Sequence, residues 1–479
     1  MTPRGGAAPW IAPAALALLT ALLLWPAFAT GAPWAFADTT SYYRGGAAAW
    51  GILLDAMGLR PDAPAPSAAP GGNVPTDLDG GEAMGGATAT GIRSVPYSLG
   101  VYASIRLAGI WAPVVAMAFA TAGLIWLVAG ALRPAVRLAI GAGLALLTAL
   151  PFFVSLLQPD AATVFVVLVP LAIMLRGERL GGWAVAGLLT LMAFAALAHY
   201  GNLPLAALAM LWLGLWAWRR GRRGLSALCL GPIVAVGVVN AAIGLVAGTG
   251  PSLAPGRFPI LLARSIEDGP GHAYLTQACP EAEYAFCEVY DEIPDNVGAV
   301  LWGPDGVARR ATDDQLARIG AEELSLLVDI FRYDPWGQIE AFLGNGLRQL
   351  VLFGSAQGMP ARFRHTPYDL EVDRLESGAW LPSPPAAAER MLVVLGLAGL
   401  LWAVWRPPHP EARGAVAFLA ASLILYAFVC GGLSAPVPRY QGRLVWLIPF
   451  LAAVLLLPRR ADRHGASDGG GARRGAPVA

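Results

Sequence analysis

The sequence predicts an all-α polytopic membrane protein, with about ten transmembrane helices and a smaller extracytoplasmic domain. Three observations carry that expectation. Hydrophobic residues make up 56% of the 479 and charged residues only 14%, against about 25% charged in an ordinary soluble domain; mean hydropathy is +0.56. Apolar runs near the ~20 residues needed to cross a bilayer recur along the chain. Arginines fall in every second connection between those runs, the asymmetry left by positive-inside insertion. The net charge of +1 hides this, because arginines gather in short connections and acids in two long ones. No basic aromatic surface suggests nucleic acid, so the lipid bilayer is the partner that composition implies. Abundant Ala, Gly, Pro and Arg with little Lys is, by association, the usage of a GC-rich bacterial genome.

Ten spans are expected: Trp10 to Ala29, Ile110 to Ala131, Leu138 to Leu157, Ala161 to Leu175, Leu180 to Leu197, Leu203 to Trp218, Leu225 to Val246, Met391 to Trp405, Ala415 to Cys430 and Leu444 to Leu457. Arg4, Arg133, Arg137, Arg176, Arg179, the Arg219 to Arg223 cluster, Arg406, Arg413 and Arg459 mark the cytoplasmic ends, which puts both termini inside. Trp10 to Ala37 also admits a second reading as a cleaved signal peptide, since Ala35-Phe36-Ala37 has the small-residue form of a cleavage site. Residues 1–247 then form a membrane module of seven spans that includes an outer loop at 38–97. Residues 248–390 form an extracytoplasmic domain, 391–457 a module of three spans, and 458–479 a disordered cytoplasmic tail.

Polar chemistry concentrates on the outer face. Asp38-Thr39-Thr40-Ser41-Tyr42-Tyr43-Arg44 follows the first apolar run, placing a carboxylate, hydroxyls, phenols and a guanidinium at a membrane boundary. Such a cluster is either a solvated loop start or the rim of a site. Ala47 to Leu59 has the spacing of a helix lying on the bilayer surface, and Arg60 to Gly91 has the composition of a segment with little fixed structure. Arg93-Ser94-Val95-Pro96-Tyr97 restores cationic and aromatic character. Asp160, in the tight turn Gln158-Pro159-Asp160, reads either as the N-cap of the fourth span or as a second carboxylate at the depth of Asp38. His199 reads as a capping group or a phosphate ligand. In the long outer segment Cys279 and Cys287 are eight positions apart, the pattern of a disulfide-closed loop; a metal pair is the weaker reading because no further Cys or His set lies close by. Arg264 lies upstream, and helical spacing covers Asp313 to Phe331 and Gly337 to Phe353. In the last outer turn Arg439, Tyr440 and Arg443 form either a phosphate clamp or an interface anchor. No P-loop, dinucleotide-binding glycine pattern, H-E-x-x-H or G-x-S-x-G stands in a usable context, which argues against ATP-driven transport and zinc proteolysis.

Asp38 closing the first span, Arg93 to Tyr97 before the second, Gln158-Pro159-Asp160 between the third and fourth, and Arg439-Tyr440 before the last together resemble the integral-membrane glycosyltransferases of the GT-C fold. That class includes protein O-mannosyltransferases and the lipid A aminoarabinose transferase. The resemblance implies a bacterial inner (plasma) membrane enzyme with its site facing the periplasm. It would move a sugar from a polyprenyl phosphate carrier to an extracytoplasmic acceptor such as a glycan, lipid or protein hydroxyl, with inversion. By the same resemblance Asp38 is the general base and Asp160 an orienting group, or with Asp38 a ligand of a divalent cation. Several members of the class carry an Asp-Glu pair in the first loop, whereas here Thr39 follows Asp38. Tyr42, Tyr43, Arg93, Tyr97, His199, Arg264, Arg439, Tyr440 and Arg443 are the candidate substrate-binding residues. A transporter or flippase, and a polymerase or ligase of lipid-linked glycans, are the competing functions. A transporter would place its ionisable residues near the bilayer midplane and show repeated halves.

Overall fold

The computed structural model describes residues 11–36, 38–59, 94–246, 258–279, 281–354, 359–367, 369–374 and 383–459. The expectations placed on Arg93, on the 60–91 segment and on the 460–479 tail lie outside the described residues.

Helix α1 (Ile11–Leu23) breaks at Leu24 and resumes as α2 (Trp25–Thr30). Pro26 cannot donate to the preceding turn, which fixes the break. Gly31, at φ 78°, ends α2 in the left-handed conformation that glycine adopts without a steric penalty. Strand β1 (Trp34–Ala35) leads into α3 (Thr39–Ala56), which is followed by α4 (Val95–Ala108). The surface helix expected from Ala47 to Leu59 therefore starts earlier, directly after Asp38. Ser94 caps α4, accepting from the Tyr97 N–H at 3.2 Å and donating to the Leu197 carbonyl at 2.5 Å.

The remaining N-terminal helices are α5 (Trp111–Val128), α6 (Pro134–Leu147), α7 (Leu150–Val154), α8 (Thr163–Arg176), α9 (Gly182–Ala198), α10 (Asn202–Arg219), α11 (Arg223–Leu228) and α12 (Leu230–Val246). Next come α13 (Ile260–Glu267), α14 (Pro270–Ala278), α15 (Ala285–Val289), α16 (Val297–Leu301), α17 (Val307–Arg310), α18 (Asp313–Tyr333) and α19 (Pro335–Val351). Strands β2 (Met359–His365) and β3 (Leu370–Arg374) form a hairpin, and α20 (Ala386–Trp405), α21 (Ala412–Ala427), α22 (Pro438–Gly442) and α23 (Leu447–Leu456) complete the chain.

Among the described residues, six helical stretches are long and apolar enough to cross a membrane: Trp111–Ala131, Pro159–Arg179, Arg223–Val246, Ala386–Trp405, Ala412–Gly432 and Pro438–Leu456. Ala12–Leu23, Pro134–Leu147 and Gly182–Ala198 are apolar but shorter. The chain is thus a mainly helical, multi-pass membrane protein. Its centre is α8, whose residues from Thr163 to Met174 are all buried, with α5, α9, α10 and α21 packed around it. Helices α13 to α18 enclose a separate core that includes Leu262, Ile266, Phe286, Val300, Ile319 and Ile330. Thr312 and Gln315 form a reciprocal capping box at the start of α18.

One feature departs from the all-helical expectation. The order β1-β2-β3 is a small antiparallel sheet, with Trp34 opposite Pro360 and Phe363 opposite Val372. Its basis is period-two patterning in β2: Ala361 is buried and Phe363 packs on the core, while Arg362 and Arg364 between and after them are exposed. The hairpin tip docks on α3 and α4. Arg44 donates twice to Asp369, at 2.6 and 3.1 Å, Tyr43 donates to the Thr366 carbonyl at 2.6 Å, and Tyr102 to the Pro367 carbonyl at 3.0 Å.

Arginines of the short connections meet at one end of the bundle. There Arg137 donates to the Gly130 and Leu132 carbonyls, Leu132 bridges to Arg459, and Arg220 pairs with Glu411. The polar stretches around Asp38, Asp160 and Arg439 gather away from those contacts.

Candidate functional site

Two turns distant in sequence are stitched together by backbone bonds, and a third joins them through the Arg443–Asp160 ion pair. Trp34 N–H donates to the Ser155 carbonyl at 2.8 Å, and Leu157 N–H donates to the Trp34 carbonyl at 2.9 Å. Thr39 accepts from the Phe36 N–H at 2.9 Å and donates to the Leu157 carbonyl at 3.2 Å. The corner that carries Asp38 is therefore fixed against the turn that carries Asp160. The third turn is held by Gln349, which bonds both the N–H and the carbonyl of Val437 at 2.8 and 3.0 Å, and by Gly354 N–H to the Pro438 carbonyl at 3.2 Å. Gly442 has to be glycine, because a Cβ there would run into the backbone carbonyl of Gly354.

Arg443 forms an ion pair with Asp160, the two side chains being only 1% and 4% exposed, and donates to Tyr426 Oη at 2.8 Å. The network continues through Thr163, which interacts with Tyr426 and donates to Asn202 Oδ1 at 3.0 Å; Asn202 in turn donates to the Ala195 carbonyl. Arg439 lies over the Phe36 ring at 4.4 Å and over Tyr440 at 5.4 Å, and Arg443 lies 5.1 Å from the same Tyr440 ring. Arg439 interacts electrostatically with both Asp160 and Asp38. Asp38 itself is half-buried and occupies the N-cap position of α3, without a side-chain bond to the helix N–H groups.

Asp38, Asp160, Arg439, Tyr440 and Arg443 are thus brought together. Tyr42 and Tyr97 line the same region: both are buried, meet edge to face at 5.0 Å, and Tyr97 senses the Asp160 charge. Burial holds the Tyr97 phenol well above its usual range, so it stays neutral. Other candidates have different tasks. Tyr43 is wholly buried and pins the β2-β3 tip. His199 is half-buried and accepts the Gly201 N–H on Nδ1 at 3.0 Å, the local capping reading. Arg264 is buried between Glu267 and Asp268, at 3.0 and 2.6 Å, and reaches the Ser434 carbonyl at 3.5 Å. It is a strut between α13 and the turn before α22, with its charge already matched, rather than an open phosphate ligand. Cys279 and Cys287 are joined as a disulfide with their Cα atoms 5.2 Å apart, while Cys229 and Cys430 are buried free thiols.

Four participants escaped sequence reasoning as site residues: Phe36, Gln158, Tyr426 and Gln441. Tyr426 offered one signal, a lone phenol inside the apolar run of α21. Several buried polar atoms of this region have no hydrogen-bond partner among the described residues: Gln158 Nε2, Ser155 Oγ, Gln441 Oε1, Arg439 Nε and Arg443 Nε. Buried polar groups are ordinarily paired, so this concentration of donors and acceptors suits a polar ligand.

Comparison of the chain with family models, with curated proteins and with solved structures found no match.

The donor set does not fit a divalent cation. Guanidinium groups flank both carboxylates, Arg443 pairing with Asp160 and Arg439 sitting within the field of both acids. Among the described residues, no group of three His, Cys, Asp or Glu side chains stands close enough to hold a metal. The positive charge beside these acids comes from arginine.

An apolar groove of about 570 Å³ runs between α1-α2 and α5, lined by Leu16, Thr20, Leu24, Phe28, Val115 and Phe119 among others. Phe28, which lies in α2, is part of its lining.

Proposed function

We propose that the chain is a membrane glycosyltransferase that moves a sugar from a polyprenyl phosphate to a hydroxyl acceptor, with Asp38 as general base. The observation that carries the reading is the convergence of Asp38, Arg439 and the Asp160-Arg443 pair from three separate turns. The arginine-rich end of the bundle faces the cytoplasm under this proposal, and the site faces the periplasm of a bacterial inner membrane. Ten spans and a GT-C arrangement belong to the same proposal.

The chemistry follows from the charges. Asp38 takes the proton from the acceptor hydroxyl, the hydroxyl oxygen bonds to the anomeric carbon from the face opposite the phosphate, and the carbon–oxygen bond to the phosphate breaks. The electron pair leaves with the polyprenyl phosphate, and the configuration inverts. Arg439 is the cation placed to stabilise the leaving phosphate. Arg443 acts through Asp160, whose carboxylate it neutralises, and so positions Arg439 between the two acids. The apolar groove beside α1 offers a path for an isoprenoid chain. The polar groups sit at one end of the bundle rather than at its midplane, which favours transfer over transport.

The test is consumption of a polyprenyl phosphate hexose by membranes containing the chain, read as release of polyprenyl phosphate. Asp38→Asn is expected to slow release by about 10²–10⁴-fold, the range for removing a general base, with insertion and stability unchanged. Equal rates for the two chains would refute the assignment.

A further inference from the structure

The site accounts for the inner side of α19 but not for its outer side. Phe342, Gly346 and Gln349 face the end of the Ala412–Gly432 span: Phe342 and Phe428 are 5.5 Å apart, a Cβ on Gly346 would strike Phe428, and one on Gly431 would meet Gln349. On the opposite face stand Trp336, Leu343, Leu347 and Val351, with Trp336 and Val351 each 77% exposed and Leu347 59% exposed. Val328 and Phe331, in the last turns of α18, are also exposed. From Trp336 to Val351 the apolar stripe runs about 22 Å at 1.5 Å per residue.

We propose that this face of α19, with the last turns of α18, is inserted into the bilayer leaflet on the side of the site. The occupant is lipid because the stripe is continuous with a surface already turned to lipid. Helix α19 packs along the end of a membrane span whose Ile424 is 50% exposed, and Leu433 beside it is 41% exposed. Trp336 begins the stripe and exposed Arg348 flanks its far end, the residue types that settle at the headgroup level. The helix is amphipathic in the required sense: one face is fixed on protein, and the other carries the apolar stripe, interrupted by exposed Glu340, with nothing from the described residues over it. The α13 to α18 domain is thereby held against the membrane surface, and the chain leaving α19 reaches Gly354 and the Arg439 turn at leaflet depth. This inference stands on membrane residence alone and holds whether or not the chain transfers a sugar.

Spin labels on single cysteines introduced at Leu343, Leu347 and Val351 of the full chain in phosphatidylethanolamine–phosphatidylglycerol nanodiscs test it. All three positions are exposed, so the variants keep the packing of the parent. An Asp305→Cys label, at an exposed acidic position of the same domain, reports water. Lipid insertion predicts high oxygen accessibility and low accessibility to a water-soluble nickel chelate at all three stripe positions, with the reverse at 305. Nickel access at Leu347 equal to that at Asp305 would overturn the proposal. Exclusion of both reagents would also overturn it, since the face is then covered by protein, and spin–spin broadening would mark that protein as a second copy.

Discussion

Replacing Arg443 by methionine removes one member of an ion pair that is almost wholly out of water. The side chain is 1% exposed, its partner Asp160 is 4% exposed, and its second donor serves Tyr426 at 2.8 Å. Breaking such a pair from one side leaves an uncompensated charge in the interior, which costs about 3–5 kcal/mol. At about 1.4 kcal/mol per tenfold, that lowers the folding equilibrium by roughly two to three and a half orders of magnitude. Asp160→Asn strands the guanidinium instead and is expected to cost a similar amount. The double variant carries no buried charge at this pair. Because neutral replacements of a buried pair are often close to isoenergetic with it, the double variant is expected to be more stable than either single one, with a coupling of at least about 2 kcal/mol. Reversible SDS-induced unfolding in mixed micelles measures all four corners of the cycle. Single variants within about 0.5 kcal/mol of the parent, the range of ordinary surface changes, would refute the claim that this pair organises the site, and so would strictly additive losses. The contrast with Asp38→Asn is diagnostic, since that substitution affects a half-buried carboxylate and is expected to leave stability alone.

Three other outcomes are expected. Opening the Cys279–Cys287 bridge by Cys279→Ala with Cys287→Ala frees a nine-residue loop and should cost the outer domain about 2.5 kcal/mol by loop-closure entropy, seen as earlier protease cleavage between α14 and α18; unchanged protection would count against the bridge as a staple. Gly442→Ala should cost about 1–3 kcal/mol because its Cβ meets a backbone carbonyl that cannot rotate away, whereas Gly100→Ala, with open space around it in mid-α4, should be neutral or stabilising; a reversal of that order in the same unfolding assay would contradict the packing described. His409, between α20 and α21, has its pKa lowered to about 4 by burial first and by the Arg459 charge second. A neutral imidazole is therefore built into the fold and accepts the Glu411 N–H on Nδ1 at 3.2 Å. Its stabilising contribution is present above the unfolded value near 6.5 and is lost as pH falls from there towards 4, so the thermal midpoint should drop through that window and His409→Asn should flatten the drop.

The membrane class was legible without coordinates because hydropathy reports transfer into lipid residue by residue, and neither needs a tertiary partner. The disulfide was legible for a related reason: eight positions in one loop keep two cysteines within reach whatever else the chain does. Helices α18 and α19 showed themselves through helical spacing, while their caps, Thr312 with Gln315 and Asp334 with Gly337, emerge only in the structure. Even the positions of Asp38 and Asp160 at the ends of apolar runs could be read in advance. Their environments could not. Whether Asp160 is a cap, a ligand or half of a buried pair depends on Arg443, which lies 283 positions away, and no local pattern encodes a contact at that separation. Arg264 and Arg439 look alike in sequence, yet one is matched by Glu267 and Asp268 on its own helix and just beyond it while the other sits between two acids from other turns. The β2-β3 hairpin, which seats Trp34 and so the Asp38 corner, escaped notice because two short strands gain stability only from partners brought by the fold. Composition and periodicity decide which segments enter the bilayer; only packing decides which charges meet at its edge, because electrostatic partners are chosen by distance in space.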